Sequence, residues 1–282
     1  MQRIKMKDVA AAVGGSTMTV SRALRRDGRI APETRLRILE AVARLGYVPD
    51  RIAAGFSTRK SGFIGVLVPS LNNAPFADTA AGLQTVLASA GLQLLLGYTN
   101  YDRQTEEHLV ATMLERRPEA MVVTYDSHTD RTRRLLQESG VPVVEIWEMP
   151  ASPIGHVVGF SNRHAAAEIT RHLIENGRRR IAFVGEADDR GTRGAQRRKG
   201  FVDAMTEAGL DPHRRIAFGA PPIGMMQGRE AMRALIERWP DTDAVLAVSD
   251  PCAYGALSAC QIDGISVPDQ IAIAGFGDFE IS

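Results

Sequence analysis

This sequence has few cysteines, no long apolar run and almost no net charge. Its two cysteines, Cys252 and Cys260, stand eight positions apart on one predicted helix. That separation is too great for a disulfide. They fit a reducing compartment, where a thiol behaves as a small apolar residue. No apolar stretch approaches transmembrane length, and no signal-peptide core stands near the N-terminus. A cytoplasmic protein with no membrane partner is therefore expected. Low-complexity tracts and short repeats are absent. Catalytic signatures are missing too: there is no Walker loop, no glycine fingerprint after the first strand, no Gly-x-Ser-x-Gly elbow and no zinc-ligand spacing. The six histidines are scattered. Neither an enzyme nor a metal or cofactor is indicated.

The small net charge of +1 hides an asymmetry. Residues 1–60 hold thirteen Lys/Arg against five Asp/Glu, whereas the remainder holds twenty-one against twenty-eight. A basic head on an acidic body points to nucleic acid, although a solvated basic face is the plainer alternative. Within the head, Ser16-Thr17-Met18-Thr19-Val20-Ser21-Arg22-Ala23-Leu24 reads as a short helix. Val20, Ala23 and Leu24 form its apolar side, and Ser16 is placed to cap it. Short hydroxyls let a helix approach phosphates, and the remaining side chains can reach base edges in the major groove. A helical pattern from Lys7 to Val13 precedes it through Gly14-Gly15, which makes a helix-turn-helix. A third helix starts at Pro32, carries Ile38, Val42 and Leu45 on one face, and stops at Gly46. Tyr47-Val48-Pro49-Asp50 reads as an extended tether, and residues 51–58 as a short helix that is marginal alone.

From Phe63 the pattern changes. Apolar runs at 63–68, 92–97, 119–124, 142–147, 181–185, 243–248 and 271–276 read as buried strands. Helical stretches near 75–90, 104–116, 130–139, 163–176, 195–208, 225–238 and 251–262 separate most of them. Such alternation predicts parallel sheets covered on both faces. The fold expected is an all-α helix-turn-helix head plus an α/β body of two doubly wound lobes. Its divisions are 1–48 for the head, 49–61 for a hinge helix and linker, 62–160 for the first lobe and 161–282 for the second. A small-molecule site belongs in the cleft, at the carboxyl ends of the strands.

These residues resemble the lactose/galactose-repressor family of transcription regulators. Three pieces carry the likeness: Thr19-Val20-Ser21-Arg22, Leu45-Gly46-Tyr47-Val48-Pro49 and Ile271-Ala272-Ile273-Ala274-Gly275-Phe276. Gly65-Val66-Leu67-Val68-Pro69-Ser70-Leu71, His128-Thr129, Pro142-Val143-Val144-Glu145 and Val158-Gly159-Phe160 are most similar to gluconate-utilisation repressors. The resemblance implies a periplasmic-binding-protein-type body, palindromic operator DNA as partner, and a homodimer when complete. It implies that Thr17, Met18 and Arg22 face base edges while Ser16, Thr19 and Ser21 face phosphates. Residues 51–58 become a hinge helix at the operator centre, with Ala53 and Phe56 at the DNA. Phe56 stands where leucine is usual, either as a minor-groove wedge or as a core aromatic between head and body.

Several positions depart from the family. Gly15 replaces a branched apolar residue of the turn, and Asp50 an asparagine. Ser161 replaces an aspartate before Asn162, and Ser249 an asparagine before Asp250. The family also continues for several tens of residues beyond Ser282. The second lobe is thus expected to be incomplete, with an open sheet edge and bare helix faces.

Candidate ligand residues follow from position. Asn72, Asn73 and Phe76 join the first strand to its helix; they either contact a sugar or form a turn and pack. His128 follows the third strand, as a ligand residue or as a surface or satisfied one. Arg193 and Arg197, four apart, could clamp a carboxylate or phosphate, with Arg198 and Lys199 on a solvated face. Asp250 is an acceptor for hydroxyls, an N-cap for the helix from Pro251, or both. The function expected is a DNA-binding regulator, a repressor released by a sugar or sugar acid such as gluconate. The alternatives are a sugar-binding protein or an α/β enzyme with an appended helical domain.

Overall fold

The computed structural model describes residues 4–24, 29–48, 61–124, 128–187 and 193–280. The chain forms two compact units, Met1–Ser61 and Gly62–Ser282. The hinge reading of residues 51–58, with Ala53 and Phe56, lies outside the described residues.

In the head, α1 (Met6–Val13), α2 (Thr17–Leu24) and α3 (Pro32–Leu45) close around Val9, Val20, Ala23, Ile38 and Ala41. Gly14 ends α1 in the left-handed region at φ 65°, a conformation that glycine adopts without steric cost. Its neighbour Gly15 donates to the Ala10 carbonyl. Two arginines of α3 tie the other helices down by their C-terminal carbonyls. Arg35 Nε donates to Ala23 O (3.3 Å), and Arg37 Nη2 to Val13 O (3.1 Å). Cations there also oppose the negative helix ends. Part of the head's positive charge is therefore structural. Tyr47 differs from the tether expected, because its ring is buried in the head's core. Its N–H donates to Val42 O as Gly46 closes α3.

The larger unit holds two parallel sheets. The first has the order β2-β1-β3-β4-β5, from β1 (Phe63–Val68), β2 (Gln93–Tyr98), β3 (Met121–Thr124), β4 (Val143–Ile146) and β5 (His156–Val158). Side chains alternate across it. Leu67, Met121, Val123 and Val143 enter one core with Val110, Met113 and Leu136; Ile64, Val66, Val68, Val122 and Ile146 enter the other with Phe76. That is why the central strands are apolar throughout. Helices α4 (Ala74–Ser89), α5 (Arg103–Glu115) and α6 (Asp130–Glu138) connect them. The second sheet has the order β7-β6-β8-β9, from β6 (Ile181–Gly185), β7 (Arg215–Ala217), β8 (Ala244–Ala247) and β9 (Ala272–Ala274). Around it lie α7 (Asn162–Glu175), α8 (Arg193–Glu207), α9 (Met225–Arg238) and α10 (Asp250–Ile262). Their core includes Phe183, Phe201, Met205, Met232, Leu235 and Leu246.

Strands β5 and β7 are not among those expected from the apolar runs. Each has three residues and lies at a sheet edge with its side chains exposed or half-buried, so neither carries an apolar run. Cys252 and Cys260 are both buried free thiols on α10. Burial pushes the Cys252 thiol up to about 12, with Glu186 adding to the effect. Among the described residues no helix is long and apolar enough to cross a membrane.

Glycines let the helices of the second lobe meet at their backbones. A Cβ at Gly228 on α9 would strike the Cys252 carbonyl of α10, and one at Gly255 on α10 the Met225 carbonyl of α9. Alanine normally stabilises a helix relative to glycine. Here Gly228→Ala should instead lower stability by about 1–3 kcal/mol through overpacking. Urea unfolding measures it, and a gain in stability would show that the helices separate at little cost.

Candidate DNA-reading surface and effector cavity

On α2 the buried residues Val20 and Ala23 leave the opposite side open. Thr17, Met18 and Arg22 are exposed, Met18 by 61%, while Thr19 and Ser21 are half-buried. The Ser16 hydroxyl accepts from the Thr19 N–H (3.1 Å) and is hydrogen-bonded to the Thr19 hydroxyl (2.9 Å). It therefore caps the helix as expected, and it also orients the Thr19 side chain.

In the larger unit a cavity of about 430 Å³ lies at the carboxyl ends of the strands, within the size range of small-molecule sites. From the first lobe come Asn72, Asn73, Phe76, Tyr101 and Trp147; from the second come Glu186, Arg193, Arg197, Ser249, Phe276 and Asp278. Phe160, just before α7, closes an aromatic wall. Phe76 meets Trp147 edge-on at 5.6 Å, Trp147 meets Phe160 at 6.2 Å, and Phe160 stacks on Phe276 at 6.2 Å. Tyr101 and Trp147 line the cavity at φ 58° and 71°, a region that bulky side chains rarely occupy. Strain of this kind is held where the surroundings over-determine it, which is common at binding sites. A second hollow, beside Tyr101 and Glu106, measures about 20 Å³ and is room for one water at most.

Arg197 is the best-anchored group of the site. Its Nε donates to Asn162 Oδ1 (2.8 Å) and its Nη1 to Val248 O (2.6 Å). Its guanidinium lies 3.8 Å from the centre of the Phe276 ring, a favourable cation–π geometry. Asn162 is fully buried and donates from Nδ2 to Glu148 Oε2 (2.8 Å) and Trp147 O (3.1 Å). Burial, then repulsion from Arg193, pulls Arg197 down to about 10. It remains a cation at neutral pH. Arg193, one helical turn earlier, sits 5.1 Å over Phe76.

The candidate ligand residues divide. Asn73, Phe76, Arg193 and Arg197 share this cavity. Asn73 makes no side-chain cap for α4, and its Oδ1 is buried without a hydrogen-bond partner among the described residues. Its main chain nevertheless opens the helix, with Asn73 O accepting from the Phe76 and Ala77 N–H groups. Phe76 is both core and wall.

Two expectations need correction. His128 does not line the cavity. It precedes α6, and its ring is sealed inside the first lobe, with Nδ1 2.9 Å from Glu106 and Nε2 3.8 Å from Glu145. Asp250 does not line it either, and Ser249 is the N-cap residue of α10. Asp250 Oδ2 accepts the Phe279 N–H (2.9 Å) and its own N–H donates to Phe276 O (3.2 Å). The side chain thus fastens the loop after β9. Of the two serines that depart from the family, Ser161 caps α7 through the His164 N–H, and Ser249 lines the cavity. Sequence reasoning passes over Glu186, Trp147 and Asn162. The first two directly follow strands β6 and β4, a positional signal that singles them out in a sheet of this class.

Comparison with known proteins agrees with this geometry. Residues 61–279 match the family described as periplasmic binding proteins and sugar binding domain of LacI family, and residues 5–50 match bacterial regulatory proteins, lacI family. The chain belongs to the LacI family. It is a DNA-binding transcription regulator whose larger unit is a sugar-binding-type effector domain. The HTH-type transcriptional regulator IdnR of Escherichia coli (strain K12) is 35% identical over 280 residues, 99% of this chain and 83% of that protein. A solved LacI family regulator from Silicibacter pomeroyi is 55% identical with a TM-score of 0.77, covering 78% of this chain and 82% of the other. A second from that organism is 34% identical with a TM-score of 0.92, covering 99% and 83%.

Within this LacI-family cavity the Asn162 amide is the hub that holds Arg197 and Glu148 together. Asn162→Ala should cost about 3 kcal/mol, because it strips a buried guanidinium and a buried carboxylate of a partner at once. Chemical denaturation of the variant measures it, and a loss below about 0.5 kcal/mol would mean that water replaces the amide.

Proposed function

We propose that this LacI-family regulator is a cytoplasmic repressor, not an enzyme, and that it binds a palindromic operator as a homodimer. Its release signal is a sugar acid, such as gluconate or a phosphorylated relative. The observation that carries this reading is the pair Arg193 and Arg197 in one cavity with the buried Asn73 carbonyl, which has no partner among the described residues. A carboxylate needs a cationic clamp, and hydroxyls need neutral acceptors and aromatic faces. Phe76, Trp147, Phe160 and Phe276 supply the faces. The motifs shared with gluconate-utilisation repressors support the same class.

On the DNA side, Thr17, Met18 and Arg22 read base edges, while Ser16, Thr19 and Ser21 approach phosphates; the exposure of Thr17, Met18 and Arg22 on α2 supports their part in this. Ala53 and Phe56, in the hinge, reach the minor groove at the operator centre. Effector binding closes the lobes and moves the hinges from the spacing the operator requires. The two sites are then coupled by about 1–3 kcal/mol, reciprocally.

Two measurements test this. Calorimetric titration of gluconate, 6-phosphogluconate, glucose and ribose should show binding of an acid, weakened at least tenfold by Arg193→Ala. Tight binding of a neutral sugar, with no response to either acid, would overturn the effector class. Separately, Arg22→Ala should lower operator affinity by about 1–3 kcal/mol and leave binding to scrambled duplex nearly unchanged. An unaltered specificity ratio in competition binding would remove Arg22 from base readout.

A further inference from the structure

The cavity holds a carboxyl group of its own among the guanidinium groups. Glu186 leaves β6 directly into the cavity wall, and its carboxylate packs on Gly194 in the first turn of α8. A Cβ there would overlap it. It shares the cavity with Arg193 and Arg197, and Arg198 Nη1 donates to its backbone carbonyl (3.2 Å). A carboxylate at a helix N-terminus, beside guanidinium groups, occupies the kind of place that binds anions. Resting on the sugar-acid reading above, we infer that Glu186 is a resident carboxylate that competes with the effector's own, so that a sugar acid enters this cavity together with a proton.

The electrostatics follow from the surroundings. Burial raises the Glu186 carboxyl above its ordinary range, opposed by its own backbone hydrogen bond and by Arg197, Arg193 and Arg198 of α8. From α10 the Cys252 thiol faces it, itself raised and therefore uncharged. Among the described residues, Tyr101 and Asp278 are the other titratable groups of the lining. An arriving carboxylate adds a like charge and raises Glu186 further. Acid affinity is then high and constant below the Glu186 value of the free protein. It falls as pH rises between the free and bound values, and it is constant and weaker above the bound one. A neutral sugar brings no charge and leaves this balance alone. Glu186 thus ties the negative charge that the site accepts to pH.

The test titrates gluconate into wild-type and Glu186→Gln protein at intervals from pH 5 to pH 8, in two buffers of different ionisation heat at each. Wild-type affinity is expected to fall as pH rises, about tenfold in all when the free and bound carboxyl values stand about one pH unit apart. Proton uptake is then visible as a buffer-dependent heat. Glu186→Gln is expected to bind at every pH about as tightly as wild type does at the lowest, without proton uptake. Equal affinity and pH dependence in the two proteins overturn the role of Glu186 and leave the sugar-acid reading standing. Weaker binding by Glu186→Gln makes Glu186 an acceptor for hydroxyls and overturns it too. Absence of any acid binding in both proteins overturns both readings. Should Glu186→Gln fail to fold, the wild-type titrations decide: a pH-independent affinity without proton exchange overturns the inference.

Discussion

The guanidinium of Arg197 is the interaction on which the effector domain's architecture turns. One nitrogen reaches the end of β8 at Val248, another reaches Asn162 at the start of α7, and its face lies on Phe276 after β9. These three places belong to different crossovers of the second lobe. Asn162 then passes the connection to Glu148 and to the Trp147 carbonyl, at the end of the first lobe's β4. A buried cation is costly unless it is hydrogen-bonded, so the loops that hold it are fixed relative to one another. Strand ends, aromatic wall and cavity shape follow from that fixed point.

The same double use of a group is visible in the head. A three-helix domain of this size buries little apolar surface, and its helices end in exposed carbonyls. Arg35 and Arg37 answer two of them from α3. Both arginines project from α3 without interrupting its apolar face of Ile38 and Ala41. Ser16 likewise serves twice, as the cap of α2 and as the group that orients Thr19.

His128 and Asp250 show why a residue near a strand's carboxyl end need not belong to the site. The two stand at comparable places in sequence, yet one turns into the lobe to meet Glu106 and Glu145, and the other ties down the loop before Phe279. Which way such a residue turns depends on partners that are distant in the chain. His128 meets Glu106 from twenty-two positions away, and Asp250 meets the Phe279 N–H from twenty-nine. Asn73 and Arg197 turn the other way, into the cavity, for reasons just as remote.

What the sequence determined by itself was the set of elements and the class of fold. Fully apolar runs must be buried on both faces, and helical spacing must cover them, so β1, β3, β6 and β8 and their crossovers were legible from pattern alone. So were the caps at Ser16 and Gly46, because capping is a local demand of the backbone. The three-residue edges β5 and β7 were not legible, since they are held by a neighbour's hydrogen bonds and not by their own side chains. The tertiary structure alone decided the membership of the cavity: it brought Asn73, Trp147, Glu186 and Arg197 into one space and took His128 and Asp250 away. The physical reason is that strand ends converge only once sheet order is set, and sheet order is a property of long-range pairing, which no local pattern encodes.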